Sequence, residues 1–131
     1  MKAIKGRGNR STELMMRMAL VRAGLSGWLM HVALLPGRPD FYFPRQRVAV
    51  FVDGCFWHGC PECGHIPRRN SEFWAAKIRS TRRRDRRHAE SLNIMGVEVM
   101  RIWEHDLNRC PDTCVQLVCG ILRCSSSVGE R

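Results

Sequence analysis

Within residues 54–63 the sequence sets Cys55, Cys60 and Cys63 around Phe56, Trp57 and His58. Thiolates at this spacing are soft ligands for tetrahedral zinc, which takes a fourth donor, and His58, His65 and His105 are candidates for it. Four protein ligands leave no open coordination position, so such a zinc would hold structure rather than activate water. The blander alternative, three thiols unused in a polar loop, has no physical motive. The other four of the seven cysteines, Cys110, Cys114, Cys119 and Cys124, lie in an apolar stretch and read as small hydrophobes on a helix face. An odd cysteine number with three at metal-like spacing points to metal binding in a reducing compartment rather than a disulfide scaffold.

A second set of groups is acidic. Asp40 follows Pro39 at the start of one apolar run, Asp53 closes the next, and Glu13 falls in the first helical segment. Hydrolysis of a phosphodiester with a divalent cation needs a carboxylate ligand on a rigid strand, further oxygens around it, and a base for water. Asp40 is therefore a candidate ligand, set against the ordinary role of Asp as a turn cap. From Arg79 to His88 six of ten residues are arginine. Like charges this close repel on a helix unless anions lie beside them, so phosphate contacts outweigh a merely solvated face, and Asp85 is expected to pair with a neighbouring arginine. The net charge of +10, from 22 Lys+Arg against 12 Asp+Glu, agrees with an acidic partner. Its arginine bias favours nucleic acid over a membrane surface. Phe56, Trp57 and Trp74 fit either core packing or wedges between base steps.

The elements that must position these groups alternate in type. A helix starting at Ser11 or Thr12 has an apolar face of Leu14, Met18, Val21 and Leu25, with Gly24 near its end. Strand-like segments follow at 28–35 and 40–43, a short link at 44–47, and a buried strand at 48–53. A helix capped by Ser71 covers 71–95 and is closed by Gly96; a strand at 97–103 and a helix from Pro111 complete the order. Residues 1–10 read as a mobile basic arm and 125–131 as a frayed tail. The expectation is one α/β domain over 1–131, a mixed sheet flanked by helices. Its apolar segments are short and no signal-peptide pattern is present, so a soluble cytoplasmic protein is the default.

The blocks Leu35-Pro36-Gly37-Arg38-Pro39-Asp40-Phe41, residues 50–61, Phe73-Trp74-Ala75-Ala76-Lys77-Ile78, Arg84-Asp85-Arg86-Arg87 and Arg101-Ile102-Trp103-Glu104-His105 together resemble the very short patch repair (Vsr) DNA mismatch endonucleases. The resemblance runs from about residue 3 to 107. It implies a restriction-endonuclease-like fold with a structural zinc, and Mg²⁺-dependent nicking of double-stranded DNA 5′ of the thymine in a T:G mismatch. It assigns Asp40 as the Mg²⁺ ligand and Val52 as the donor of a backbone carbonyl to that ion. His58 becomes the group acting on water at the metal, and Glu13 a support for the same shell. It makes Phe56, Trp57 and Trp74 intercalating residues and gives zinc to Cys55, Cys60, Cys63 and His105. Arg79, Arg82, Arg83 and Arg86 then read as phosphate contacts.

The superfamily's acidic-x-Lys pattern is missing beside Asp53, which shifts the proton-transfer burden to His58. Only part of the family's DNA-clamping amino-terminal arm is expected here. The resemblance implies a monomer working with mismatch-repair machinery. Two other functions compete: a related nuclease turned to another DNA target, in phage defence or a mobile element, and a non-catalytic zinc DNA-binding module. Glu13, Asp40 and His58 together argue against the last, since binding alone requires none of them.

Overall fold

Strand β3 (Val48–Asp53) is apolar along nearly its whole length because both of its faces are covered. The computed structural model describes residues 10–62 and 65–129; the expected basic arm falls almost wholly outside them. β2 (Phe41–Phe43) turns through residues 44–47 to pair antiparallel with β3, and Arg47 N–H donates to the Phe43 carbonyl at 2.7 Å. β4 (Glu98–Trp103) pairs parallel with β3, from Val48 opposite Glu98 to Asp53 opposite Trp103. A parallel pair needs a long crossover, and α2 (Ser71–Ile94) provides it. Short β1 (Leu29–Met30) pairs antiparallel with β2, giving a four-stranded mixed sheet in the order β1-β2-β3-β4.

Alternation along β3 sorts the layers. Val48, Val50 and Val52 join Phe41, Phe43 and Ile102 in a core with α1 (Arg10–Arg22), α3 (Glu104–Arg109) and α4 (Pro111–Gly129). Ala49 and Phe51 face the other way and pack with Leu92 of α2 and with Val97. The mixed α/β sheet with helices on both faces agrees with the expected class. No helix among the described residues is long and apolar enough to cross a membrane.

Several local expectations are corrected. In α1, Leu14, Met18 and Val21 are 51%, 53% and 65% exposed, while Thr12, Met16, Ala19 and Leu20 are buried. Hydrophobic residues occur nearly all around this helix, so periodicity alone did not identify its inward face; the core selects the Thr12–Met16–Leu20 side, and only Leu25 of the expected set packs against it. Thr12 is not a cap: its hydroxyl donates to Glu104 Oε2 at 3.4 Å. Nor does Ser71 cap α2. Asn70 takes that place in a left-handed conformation without a side-chain cap bond, and Ser71 is the first helical residue. The strand expected over 28–35 shrinks to two residues because His31 turns left-handed at φ 53°. The helix α3 was not anticipated. Of the cysteines expected on a buried helix face, Cys114 is buried and Cys119 half-buried, whereas Cys110 and Cys124 are exposed. The α4 backbone continues to Gly129, through most of the segment expected to fray.

The end of α2 sets where β4 begins. Gly96 sits at φ 81°, its N–H donates to the Asn93 carbonyl at 3.0 Å, and Val97 N–H donates to the Leu92 carbonyl at 2.8 Å. This double closure places Leu92 and Val97 in one apolar cluster. A Cβ at Gly96 would meet only Arg47 guanidinium atoms, at 3.6 Å and beyond, so the cost of a side chain there is conformational. Gly96→Ala is expected to lower unfolding free energy by about 1–2 kcal/mol in urea titration; an unchanged midpoint would mean that the strand, not the glycine, fixes this turn.

Candidate active site

Asp40 enters β2 and Asp53 leaves β3, so antiparallel pairing brings both to one end of the sheet. Asp40 Oδ2 accepts the Val52 N–H at 2.7 Å. Burial raises the Asp40 carboxyl above its ordinary value, outweighing that hydrogen bond and the nearby His31. His31, not singled out in the sequence, completes a first group. Its Nε2 meets Glu13 Oε2 at 2.7 Å and its Nδ1 lies 4.0 Å from Asp40 Oδ1. Glu13 thus reaches the site through His31.

His58 belongs to a second group on the α2 side of the sheet. Its Nδ1 contacts Asp85 Oδ2 at 2.6 Å, and its Nε2 lies 3.8 Å from Asp53 Oδ1. Arg101 Nη1 donates to both Asp53 oxygens, at 2.9 and 3.2 Å, while its guanidinium sits 4.3 Å from the Phe51 ring centre. Burial lifts the Asp53 carboxyl above its ordinary value despite His58 and Arg101. Asp85 moves the other way: burial is opposed by the His58 hydrogen bond and by His58, Arg101 and Arg84 charges, and its carboxyl falls below the ordinary value.

Asp85 does meet an arginine, as expected, but it is Arg101 of β4, whose Nη2 lies 3.8 Å from Asp85 Oδ1, and the hydrogen bond goes to His58, a partner the sequence did not indicate. Ile78, Thr81, Asp85, His88 and Leu92 recur at helical spacing on the inward side of α2, while Arg79, Arg82, Arg83 and Arg86 are exposed. Breaks in the arginine run at 81, 85 and 88 were the signal that could have shown this.

Both groups meet in one cavity of about 280 Å³, lined among others by His31, Asp40, Asp53, His58, Asp85 and Arg101. A loop beside it carries the metal-like thiols. Cys55 Sγ and Cys60 Sγ lie 3.3 and 3.6 Å from His105 Nδ1. With zinc–sulfur and zinc–nitrogen distances of about 2.3 and 2.0 Å, tetrahedral donors stand about 3.5 Å apart, so this set fits zinc. His105 Nε2 lies 3.2 Å from both Asp106 and Glu62 carboxylate oxygens, the usual support behind a metal-bound imidazole. Cys63 lies outside the described residues. His58 is turned to Asp85, away from this thiol set.

Phe56, Trp57 and Trp74 touch edge to face, with centroids 5.2 to 5.9 Å apart, and the half-exposed Phe73 stacks its edge on Trp74 at 5.0 Å. Trp57 buries its indole N–H without a hydrogen-bond partner among the described residues. Gly59, at φ 69°, holds this loop on α2: an added Cβ would come within 2.9 Å of Ile78 Cγ2.

Carboxylates and imidazoles gathered at one end of a mixed sheet, beside an exposed arginine flank, are the group types that metal-assisted phosphodiester chemistry uses. A family model described as DNA mismatch endonuclease Vsr matches residues 1–64. Over 106 residues the chain is 35% identical to the DNA mismatch endonuclease Vsr of Escherichia coli (strain K12), covering 79% of this chain and 67% of that protein. It is 46% identical over 69 residues to the type II nicking enzyme V.NaeI of Lentzea aerocolonigenes, covering 53% of this chain and 42% of the relative. It is also 40% identical over 81 residues to the type II nicking enzyme V.XorIIP of Xanthomonas oryzae pv. oryzae, with 60% and 59% covered. The chain belongs to the Vsr family. It spans about half the length of these two nicking enzymes.

Because the Asp85 carboxyl is depressed below 3.8, its ionised form adds stability above that pH, and the contribution is lost as pH falls through the lower folded-state value. Asp85→Asn is expected to cost about 1.5–3 kcal/mol at pH 7. Urea titrations should show the variant and parent converging as the solution is acidified below the ordinary carboxylate range. A gap that stays constant in acid would assign Asp85 a packing role only.

Proposed function

We propose that this chain is a Mg²⁺-dependent, strand-nicking DNA endonuclease on a restriction-endonuclease-like fold. It cuts double-stranded DNA 5′ of the thymine in a T:G mismatch, as a monomer in the cytoplasm alongside mismatch-repair machinery. The observation carrying this reading is the convergence of Asp40 and the His58–Asp85 pair on one cavity, between an aromatic cluster and an arginine-bearing helix. Asp40, with the Val52 carbonyl, would hold Mg²⁺, and Glu13 would act behind it. Bound there, Mg²⁺ would supply Lewis-acid stabilisation of charge on the phosphate and would make water more acidic.

The chain's own groups divide the remaining work. An ionised Asp85 accepts a hydrogen bond from His58 Nδ1, which fixes the tautomer and leaves Nε2 able to take a proton from water. Arg101 holds Asp53 beside that imidazole. Phe56, Trp57 and Trp74 form a wedge that favours a mismatched pair, because such a pair unstacks at lower cost. Arg79, Arg82, Arg83 and Arg86 contact phosphates, and zinc held by Cys55, Cys60, Cys63 and His105 braces the wedge loop.

The test is a nicking assay on one duplex carrying T:G, A:T or G:C at a single position, with and without Mg²⁺. Nicking confined to T:G and dependent on Mg²⁺ is expected, with Asp40→Asn inactive and His58→Ala slower by about 10²–10⁴-fold. Equal cutting of matched duplex would assign another DNA target, and binding without nicking would leave a zinc DNA-binding module. Separately, Arg82→Gln with Arg86→Gln should weaken binding to all duplexes alike. It should reduce the slope of log affinity against log salt by about 1.8 if both arginines neutralise phosphates; an unchanged slope would remove α2 from the DNA interface.

A further inference from the structure

The hairpin of β1 and β2 places an imidazole where the family resemblance supplied none. Leu29 faces Tyr42 and Met30 faces Phe41, so the next step of the register sets His31 opposite Asp40. The His31 N–H donates to the Asp40 carbonyl at 3.3 Å, which continues the ladder one residue beyond the strand. Opposite residues of an antiparallel pair hold their Cβ atoms close enough for side chains to share a ligand. His31, one residue past β1, takes a left-handed backbone at φ 53°, a region in which histidine is enriched among non-glycine residues.

The two ring nitrogens face different partners. Nε2 is within hydrogen-bond distance of Glu13 Oε2, at 2.7 Å. When Nε2–H donates there, the neutral ring keeps a lone pair on Nδ1, which is turned to Asp40 Oδ1 across 4.0 Å. That gap is too wide for a hydrogen bond. It fits a cation between the two atoms, since donors each about 2.1 Å from one ion stand about 3 to 4 Å apart. The second Asp40 oxygen is engaged by the Val52 N–H, so Oδ1 is the one left for an ion. A carboxylate behind an imidazole is the arrangement that orients metal-bound histidine, and Glu13 occupies that position.

We propose that His31 Nδ1 is a direct ligand of the cation at Asp40, oriented by Glu13, and that the resulting nitrogen–oxygen centre binds Co²⁺-type transition ions more tightly than Mg²⁺. This rests on the reading of Asp40 as the metal ligand. Mg²⁺ retains water and favours oxygen donors, whereas imidazole adds affinity along the transition series. Glu13 changes from a support of the water shell to a positioning residue for His31.

The test uses the zinc-loaded full chain, titrated calorimetrically with Co²⁺ and with Mg²⁺. His31→Gln should weaken Co²⁺ binding by about tenfold or more, and Mg²⁺ binding by much less. His31→Asn, which accepts a left-handed backbone readily, should behave the same way and controls for misfolding. Proton NMR of the Co²⁺-loaded protein should show a strongly shifted, exchangeable imidazole N–H that disappears in His31→Gln and persists in His58→Gln. If Co²⁺ affinity and that resonance survive both His31 variants while Asp40→Asn loses metal, the histidine is not a ligand and only this inference falls. If Asp40→Asn keeps both metals, the reading of the catalytic centre falls with it.

Discussion

The parallel pairing of β3 with β4 is the constraint on which the rest of the site depends. Six residues of each strand are matched in register, and such a pair cannot be joined by a turn. The chain must leave β3 at Asp53, cross the sheet, and return at Glu98. Everything between these points, the thiol-bearing loop and α2, is a product of that crossover. The connection leaves from the edge where the buried carboxylates stand. It therefore presents His58 and Asp85 to Asp53, and the returning strand adds Arg101 opposite Phe51.

Electrostatics at this edge are arranged by unequal burial. Asp40 and Asp53 are raised by desolvation, whereas Asp85, surrounded by His58 and arginines, is lowered. Three carboxyls within one small cavity are thereby given different proton affinities without any change of residue type. Asp85, the most readily ionised of these by direction of shift, is the one bonded to the imidazole. The two raised groups sit at the strand ends, Asp53 against the Arg101 guanidinium and Asp40 against the Val52 N–H and the His31 ring.

Much of this was legible in the sequence, for reasons that can be traced. Val48–Asp53 could be read because a doubly covered strand leaves a continuous apolar run, and Gly96 because a closing glycine follows the last helical turn. Cys55, Cys60 and His105 do come together, although the histidine is far from the cysteines in sequence. What remained hidden required tertiary choice. In α1 apolar side chains occur on several sides, so only packing against β2 and α4 selects Met16 and Leu20 over Leu14 and Met18. His31 was invisible because residues 32–39 form a long connection whose length does not dictate the β1–β2 register. Asp85 was obscured by charge: among so many arginines its carboxylate reads as a local counterion, and only the helical phase shows it facing inward.

Gly59 carries a mechanical consequence. With no space for a methyl group between this loop and Ile78, the loop and helix meet backbone to side chain. His58, one residue away, is tied to the same helix through Asp85. The imidazole is therefore carried by the helix as a passenger, while Asp40 and His31 ride on the β1–β2 hairpin. Any tilt of the helix would change the spacing between the His58 imidazole and the Asp40 carboxyl, making the distance between these two halves an adjustable coordinate of the protein.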